Sequence, residues 1–379
     1  MKNTSVRISV FVAPLLFAGF LQLSGCARRE VPPPDPGGIY QSTSGGAQFD
    51  QAARLINGEG TLIGYLDNVS FRKLYRSPTE PRRVYAVARG QGIFKSDTNG
   101  ESWQRLAQPL AAVSDIVELN GGSMLLSGAT GEGNGAVVRS LDQGKSWEPV
   151  LQIPKPKKES SRFYEVIKPP DPPPVYVTDM AVDPFQENQV YAATTTGEIL
   201  IGSDAGKVWR AIQRLTGARD PLTRQATAPI QQIVPSLHIS GEILVVTTSG
   251  TILRITAEGK ETLGISGVRA VHFIPQLPNS LLAAISRGVA ISHDRGATWS
   301  TLPLPLSQQV KISSLAVMVS PTNPQRILVA AENILYRSED GGVTWNSLAL
   351  KLPQHTITDI SINPANAAQV LLVTAPVAS

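Results

Sequence analysis

Three stretches of this chain repeat one alternation of apolar runs and polar breaks. They are FRKLYRSPTEPRRVYAVARGQGIFKS (71–96), VTDMAVDPFQENQVYAATTTGEILIGS (177–203) and ISSLAVMVSPTNPQRILVAAENILYRS (312–338). Each reads as an apolar strand, a turn rich in Pro or Asn, a second apolar strand, a break at Gly or Asn, and a third strand. Short runs rich in β-branched and aromatic residues between such breaks are strand signals. A polar turn follows each third strand, and a short fourth strand leads to the next unit. Four antiparallel strands in a unit of about 45 residues form a propeller blade.

The polar turns share a register that holds all five tryptophans, Ser-x-Asp-x-Gly-x-Ser/Thr-Trp. Three copies are complete: Ser140, Asp142, Gly144, Ser146, Trp147; Ser292, Asp294, Gly296, Thr298, Trp299; and Ser338, Asp340, Gly342, Thr344, Trp345. Ser96, Thr98, Gly100, Ser102, Trp103 lacks the Asp, and Gly202, Asp204, Gly206, Val208, Trp209 lacks both hydroxyls. At a hairpin tip the Gly supplies a positive φ and the Asp accepts hydrogen bonds from turn amides. The Trp then folds back over the hairpin and staples it to its neighbour. The pattern resembles the Asp-box, or BNR, repeat of sialidases, sortilin-type receptors and the photosystem II stability/assembly factor family. Its residues are read as structural, not catalytic.

Consecutive tryptophans are 44, 62, 90 and 46 residues apart. The 90-residue gap spans two periods, and a degenerate turn is expected in GTILRITAEGKETL (250–263), with Gly259 in place and Thr262 at the Trp position. The 62-residue gap is one period plus an insertion. Near the C-terminus, ITDISINPANAAQVLLVTAP (357–376) supplies two strands of a blade, and no further pair follows it. GIYQSTSGGAQFDQ (38–51) supplies the missing pair, with Ser44, Gly46 and Phe49 standing for Asp, Gly and Trp. The fold expected is all-β, a seven-bladed propeller closed by pairing N-terminal strands with the C-terminal blade, which removes open sheet edges.

Composition then adds a location. Residues 1–25 carry Lys2, Arg7 and an apolar run from Ile8 to Leu23, and they read as an export signal. Leu23-Ser24-Gly25-Cys26 resembles a lipoprotein lipobox, which implies a lipid on Cys26, the chain's single cysteine. Residues 26–36, with Pro32, Pro33, Pro34 and Pro36, form a stiff spacer to a propeller over 37–379. The chain is thus expected to be exported and anchored to a membrane. The net charge of +4 shrinks to 32 basic against 30 acidic residues once Lys2 and Arg7 are removed, which argues against nucleic acid as partner.

Motifs for chemistry are sparse. His238, His272, His293 and His355 have no ligand spacing and are read as structural, so neither metal nor cofactor is expected. A sialidase would carry Arg-Ile-Pro, and the nearest phrase is Phe71-Arg72-Lys73-Leu74. No catalytic residue is assigned. The single ring, export signal and lipobox resemble the photosystem II stability/assembly factor family. This resemblance implies a non-enzymatic, monomeric platform that binds a protein partner of a membrane complex. A carbohydrate-binding or glycoside-hydrolysing propeller is the alternative.

Two groups of partner-binding candidates follow. Aligned first strands bring Lys73, Asp115, Asp179, Gln232, Ala270, Ser314 and Asp359 to one level of the central channel. The long linkers 153–176 and 214–229 carry Lys155, Lys157, Lys158, Arg162, Lys168, Arg214, Arg219 and Arg224, with Phe163 and Tyr164 between them. Arg72, Arg76, Arg82 and Arg83 form a further basic group on the first blade.

Overall fold

The structure, a computed structural model, describes residues 37–67, 69–155, 174–217, 228–306, 315–350, 352 and 354–377. They form seven four-stranded antiparallel sheets and one two-stranded hairpin. The sheets are the blades of a propeller. Blades 1 to 6 have inner strands Phe71–Arg76, Ala112–Glu118, Val177–Val182, Ile230–Pro235, Val268–Phe273 and Leu315–Val319, each followed in sequence by its other three strands.

The apolar runs become the second strands. Val84–Ala88, Val190–Thr194, Ile243–Thr247 and Ile327–Ala331 are buried at every position, because neighbouring blades cover both faces of a mid-sheet strand. Outer strands such as Gly259–Thr262 and Ser300–Thr301 are fully polar and exposed. Seven apolar clusters form, one between each pair of neighbouring blades, including one between the last and the first.

Closure occurs as the sequence predicts. Blade 7 has His355–Asn363 inside, Asn366–Pro376 next, then Ile39–Ser42 and Asp50–Gln51 outside. Ile39 pairs with Val373 and Ser42 with Val370. Within each blade the inner strand starts at one face of the ring, here called the top. Inter-blade linkers and the turns between second and third strands lie there, and the tryptophan turns lie at the bottom. Ile39–Ser42 runs antiparallel to the second strand of its blade, so Gly37 meets the body at the top.

The three complete turns share one geometry. In the first, Ser140 Oγ accepts from Gly144 N at 2.8 Å, while Asp142 accepts from Ser146 N at 2.8 Å and Ser146 Oγ at 2.6 Å. The Asp294 and Asp340 turns repeat these bonds. The first-blade turn keeps the fold with Thr98 as acceptor from Ser102 N at 3.0 Å. At 38–51, Ser42 Oγ accepts from Gly46 N and Ser44 Oγ from Gln48 N, both at 3.0 Å. A hydroxyl therefore stands in for the carboxylate. Trp103, Trp299 and Trp345 each close the turn by donating Nε1–H to the carbonyl of their own turn glycine. Trp147 instead reaches Ala107 O in the linker from blade 1.

Three features depart from the expectation. Blade 4 has no tryptophan-type turn: Thr256 pairs directly with Gly259 and Leu253 with Thr262, so a two-residue tip replaces it. In blade 3, Gly202 pairs directly with Trp209, and the chain turns tightly through Asp204, Ala205 and Gly206, all at positive φ. The Trp209 ring lies over Gly202, and a Cβ there would meet it at 2.9 Å. The Ser of a complete turn does not fit. Thirdly, a hairpin of Arg54–Ile56 and Leu62–Tyr65 precedes blade 1. Its first strand exchanges bonds with the first-blade turn, Trp103 N donating to Arg54 O and Ile56 N to Trp103 O, both at 2.8 Å. It covers Trp103 completely.

Candidate functional site

The inner rim is built from a triplet that recurs in each inner strand. In the six blades where it is described, a β-bulge falls within the triplet: Phe71-Arg72-Lys73, Val113-Ser114-Asp115, Val177-Thr178-Asp179, Ile230-Gln231-Gln232, Val268-Arg269-Ala270 and Ile357-Thr358-Asp359. A bulge re-aims successive side chains. Here the middle residue donates to a carbonyl of the next blade: Ser114 Oγ to Val177 O (2.6 Å), Thr178 Oγ1 to Ile230 O (2.8 Å) and Thr358 Oγ1 to Phe71 O (3.0 Å). The third residue accepts from an amide of the next blade. Met180 N donates to Asp115 (2.7 Å), Ile233 N to Asp179 (2.9 Å), Val271 N to Gln232 (2.9 Å) and Leu74 N to Asp359 (2.8 Å).

Like Ala270, Lys73 has no side-chain acceptor and breaks the series. Its ammonium instead reaches Asp115 at 2.9 Å and Asp179 at 2.7 Å, across two blades. Ile116 N, which would have faced an acceptor from blade 1, is held by Asp115's own second oxygen at 2.8 Å. Burial works against the Lys73 charge, but Asp115 and Asp179 outweigh it and hold the group above the usual lysine range. Burial pushes Asp115 up to about 6, with Lys73 pulling the other way. Asp359 is likewise raised by burial to about 6, although the amides of Leu74 and Ile360 oppose the shift. His272, partly buried in the channel wall, is lowered to about 4 by desolvation.

This rim lines a channel cavity of about 820 Å³ that holds Lys73, Asp179, His272 and Asp359. Its top mouth carries Arg72, Arg89 and Arg269. Arg72 and Arg89 also flank a side pocket of about 370 Å³ toward Val113 of blade 2. Among the described residues, no group of three His, Cys, Asp or Glu converges as a metal site.

The sequence-level candidates thus divide. Lys73, Asp115, Asp179 and Asp359 form one network. Arg72 belongs to the top mouth, whereas Arg82 and Arg83 lie in the bottom turn of blade 1, where Arg83 pairs with Asp97 at 2.7 Å. Arg76, at the other end of the inner strand from Arg72, bonds to Pro81 O of that turn, so these four arginines do not form one patch. Lys155 and Arg214 are exposed, and Arg214 sits 3.9 Å from Glu198. Cys26, Lys157, Lys158, Arg162, Phe163, Tyr164, Lys168, Arg219, Arg224 and Ser314 lie outside the described residues. The hydroxyls of Ser114, Thr178 and Thr358 had a legible signal, the recurring Val/Ile-Ser/Thr-Asp. Arg89 and Arg269 had none, since one lies in a turn and the other in a bulge.

No family model matches the sequence, and no curated protein matches it. Several solved structures share the fold. A GH74 xyloglucanase from Xanthomonas campestris is 17% identical with a TM-score of 0.62, over 82% of this chain and 51% of that one. YCF48 from Cyanidioschyzon merolae is 18% identical with a TM-score of 0.56, over 81% and 96%. A structure of YCF48 bound to D1 peptide is 16% identical with a TM-score of 0.54, over 82% and 94%. The chain spans about half the length of the hydrolase and nearly all of YCF48. At these identities the likeness is one of fold.

Proposed function

We propose that this protein is a non-enzymatic, membrane-tethered propeller that binds an acidic or carboxylate-bearing segment of a protein partner at its top mouth. The observation that carries the reading is the convergence on one face. The top receives the N-terminal segment at Gly37, presents the inter-blade linkers, and holds Arg72, Arg89 and Arg269 around the channel opening. With a lipid on Cys26 and a spacer over 26–36, that face would look toward the membrane. The tryptophan turns are Asp-boxes that give the scaffold its rigidity. Similarity in shape and length to YCF48, including the form bound to D1 peptide, supports a protein client.

A hydrolase reading draws on the GH74 likeness. A glycosidase needs two carboxylates facing each other with free oxygens. Among the described residues lining the channel, the carboxylates are Asp179 and Asp359, and both oxygens of each are engaged: Asp179 by Lys73 and Ile233 N, Asp359 by Leu74 N and Ile360 N.

The test is capture from host membranes with a photo-crosslinker at the exposed position 91, in the same turn as Arg89, with and without Arg72→Glu/Arg89→Glu. Crosslinks to a membrane-protein segment that vanish in the variant are expected, and metabolic lipid labelling that depends on Cys26 accompanies them. Turnover of xyloglucan or a fluorogenic sialoside that Asp179→Asn abolishes would overturn the reading.

A further inference from the structure

Outside blade 1, the hairpin of Arg54–Ile56 and Leu62–Tyr65 presents apolar side chains to solvent. Leu62 is 42% exposed, and Ile63 and Tyr65 are each 60% exposed. Three of four consecutive residues are thus large, apolar and uncovered. Leu141, Val208 and Val343 are exposed too, but they stand singly at the bottom turns. The outer edge of Leu62–Tyr65 pairs with no other strand among the described residues. A free apolar edge that carries neither charge nor proline invites a partner.

Two observations point to what covers it. Leu66, which follows the strand, lies against Gly38, where a Cβ would meet Leu66 O at 2.7 Å. The N-terminal segment thus enters the body next to the apolar strand. In extended polyproline geometry, residues 26–36 keep Gly37 within roughly 35 Å of a lipid on Cys26. Secondly, Leu55 bridges Trp103 in parallel, and Gln104 Nε2 donates to Asn57 O at 3.2 Å. Outer strands run from bottom to top, so the hairpin tip points to the top as well. That is the face turned to the membrane in the function proposed above.

We propose that the 54–65 hairpin is a second membrane contact, which seats Leu62, Ile63 and Tyr65 at the headgroup level of a phospholipid bilayer. The inference rests on the lipid tether of that reading. A tether fixes distance but not orientation, and the hairpin supplies the second point that holds the top toward the bilayer. Tyr65 suits this level, with its ring in the apolar layer and its hydroxyl in water. Arg54, exposed and paired with Tyr65, is set to meet a lipid phosphate. The free N–H and C=O groups of the edge limit the depth. In hydrocarbon they would lack partners, whereas water serves them among the headgroups. A second copy of the chain fits less well, because a four-residue strand buries far less than a stable dimer needs.

A photo-crosslinking residue at position 63 in host membranes tests it, with the same residue at position 343 on the bottom as control. Phospholipid adducts at 63 and none at 343 are expected. Ile63→Asp, at an exposed position, leaves the melt unchanged. It speeds transfer of the protein between phosphatidylcholine–phosphatidylglycerol vesicles about tenfold. Phospholipid adducts at 63 no more frequent than at 343, adducts to another protein or to a second copy in their place, or an unchanged transfer rate overturn the proposal. Lipid labelling of Cys26 is read separately. If it is present and position 63 takes no phospholipid, the hairpin contact fails and the tether stands. If it is absent while position 63 takes phospholipid, the tether fails and the hairpin contact stands.

Discussion

Position 73 shows how one residue redirects a repeated design. Asp115, Asp179, Gln232 and Asp359 are acceptors for the next blade, and Lys73 stands where the first blade's acceptor would be. Replacement of Lys73 by Met removes the counter-charge from fully buried Asp115 and from Asp179. Breaking a buried pair from one side costs about 3 kcal/mol, to be read by denaturant melting, and adding Asp115→Asn restores part of it. The tryptophan turns were legible because identical residues recur at identical spacing, and each bond is local to eight residues. The channel residues were legible in level but not in partnership. An alignment of strands shows which side chains share a height, whereas the offset between a side chain and its neighbour's amide comes from the bulge.

Elements were read best where burial dictates them. Second strands are apolar on both faces and stand out in any sequence. The blade 4 turn was misjudged because Gly259 fits either tip, and Ile255 at the first turn position has no hydroxyl to hold the longer loop. The 54–65 hairpin escaped because Leu62, Ile63 and Tyr65 are exposed apolar residues in a strand that packs against little. The closing strands support an expected outcome. Deletion through residue 51 removes Ile39–Ser42 and Asp50–Gln51 and exposes Leu371 and Val373, so the cooperative melt broadens and falls. Deletion through residue 36 leaves the melt unchanged. Trp103→Ala, inside the same junction, loses about 3–5 kcal/mol in urea titration.

At the scale of the whole ring, buried and exposed acids oppose each other in pH. Asp115 and Asp359 sit near 6 when folded, above the ordinary 3.8, so the folded state holds extra protons between those values. Their contribution is most favourable in acid and declines as pH rises through 4 to 6. His272, held near 4 instead of 6.5, works oppositely and loses stability as pH falls through its window. Asp142, Asp294 and Asp340 are held near 2 by their turn partners, so their contribution is present above 3.8 and is lost as pH falls toward 2. The melting midpoint is therefore expected to vary little between pH 7.5 and 4.5 and to drop steeply below 4. Asp359→Asn keeps an acceptor for Leu74 N, raises the midpoint at pH 7.5 by the equivalent of about 1 kcal/mol, and leaves pH 4.5 unchanged. Closure in blade 7 has one more consequence. Thr374 N donates to Gly38 O at 3.0 Å and Gly38 N to Thr374 Oγ1 at 2.7 Å, so these two distant positions are direct neighbours. The propeller is close to a covalent circle cut at an arbitrary place. A circular permutant that splices residue 377 to residue 37 and opens the chain at residue 154 should have the same seven blades, and circular dichroism with a single melting transition would show it.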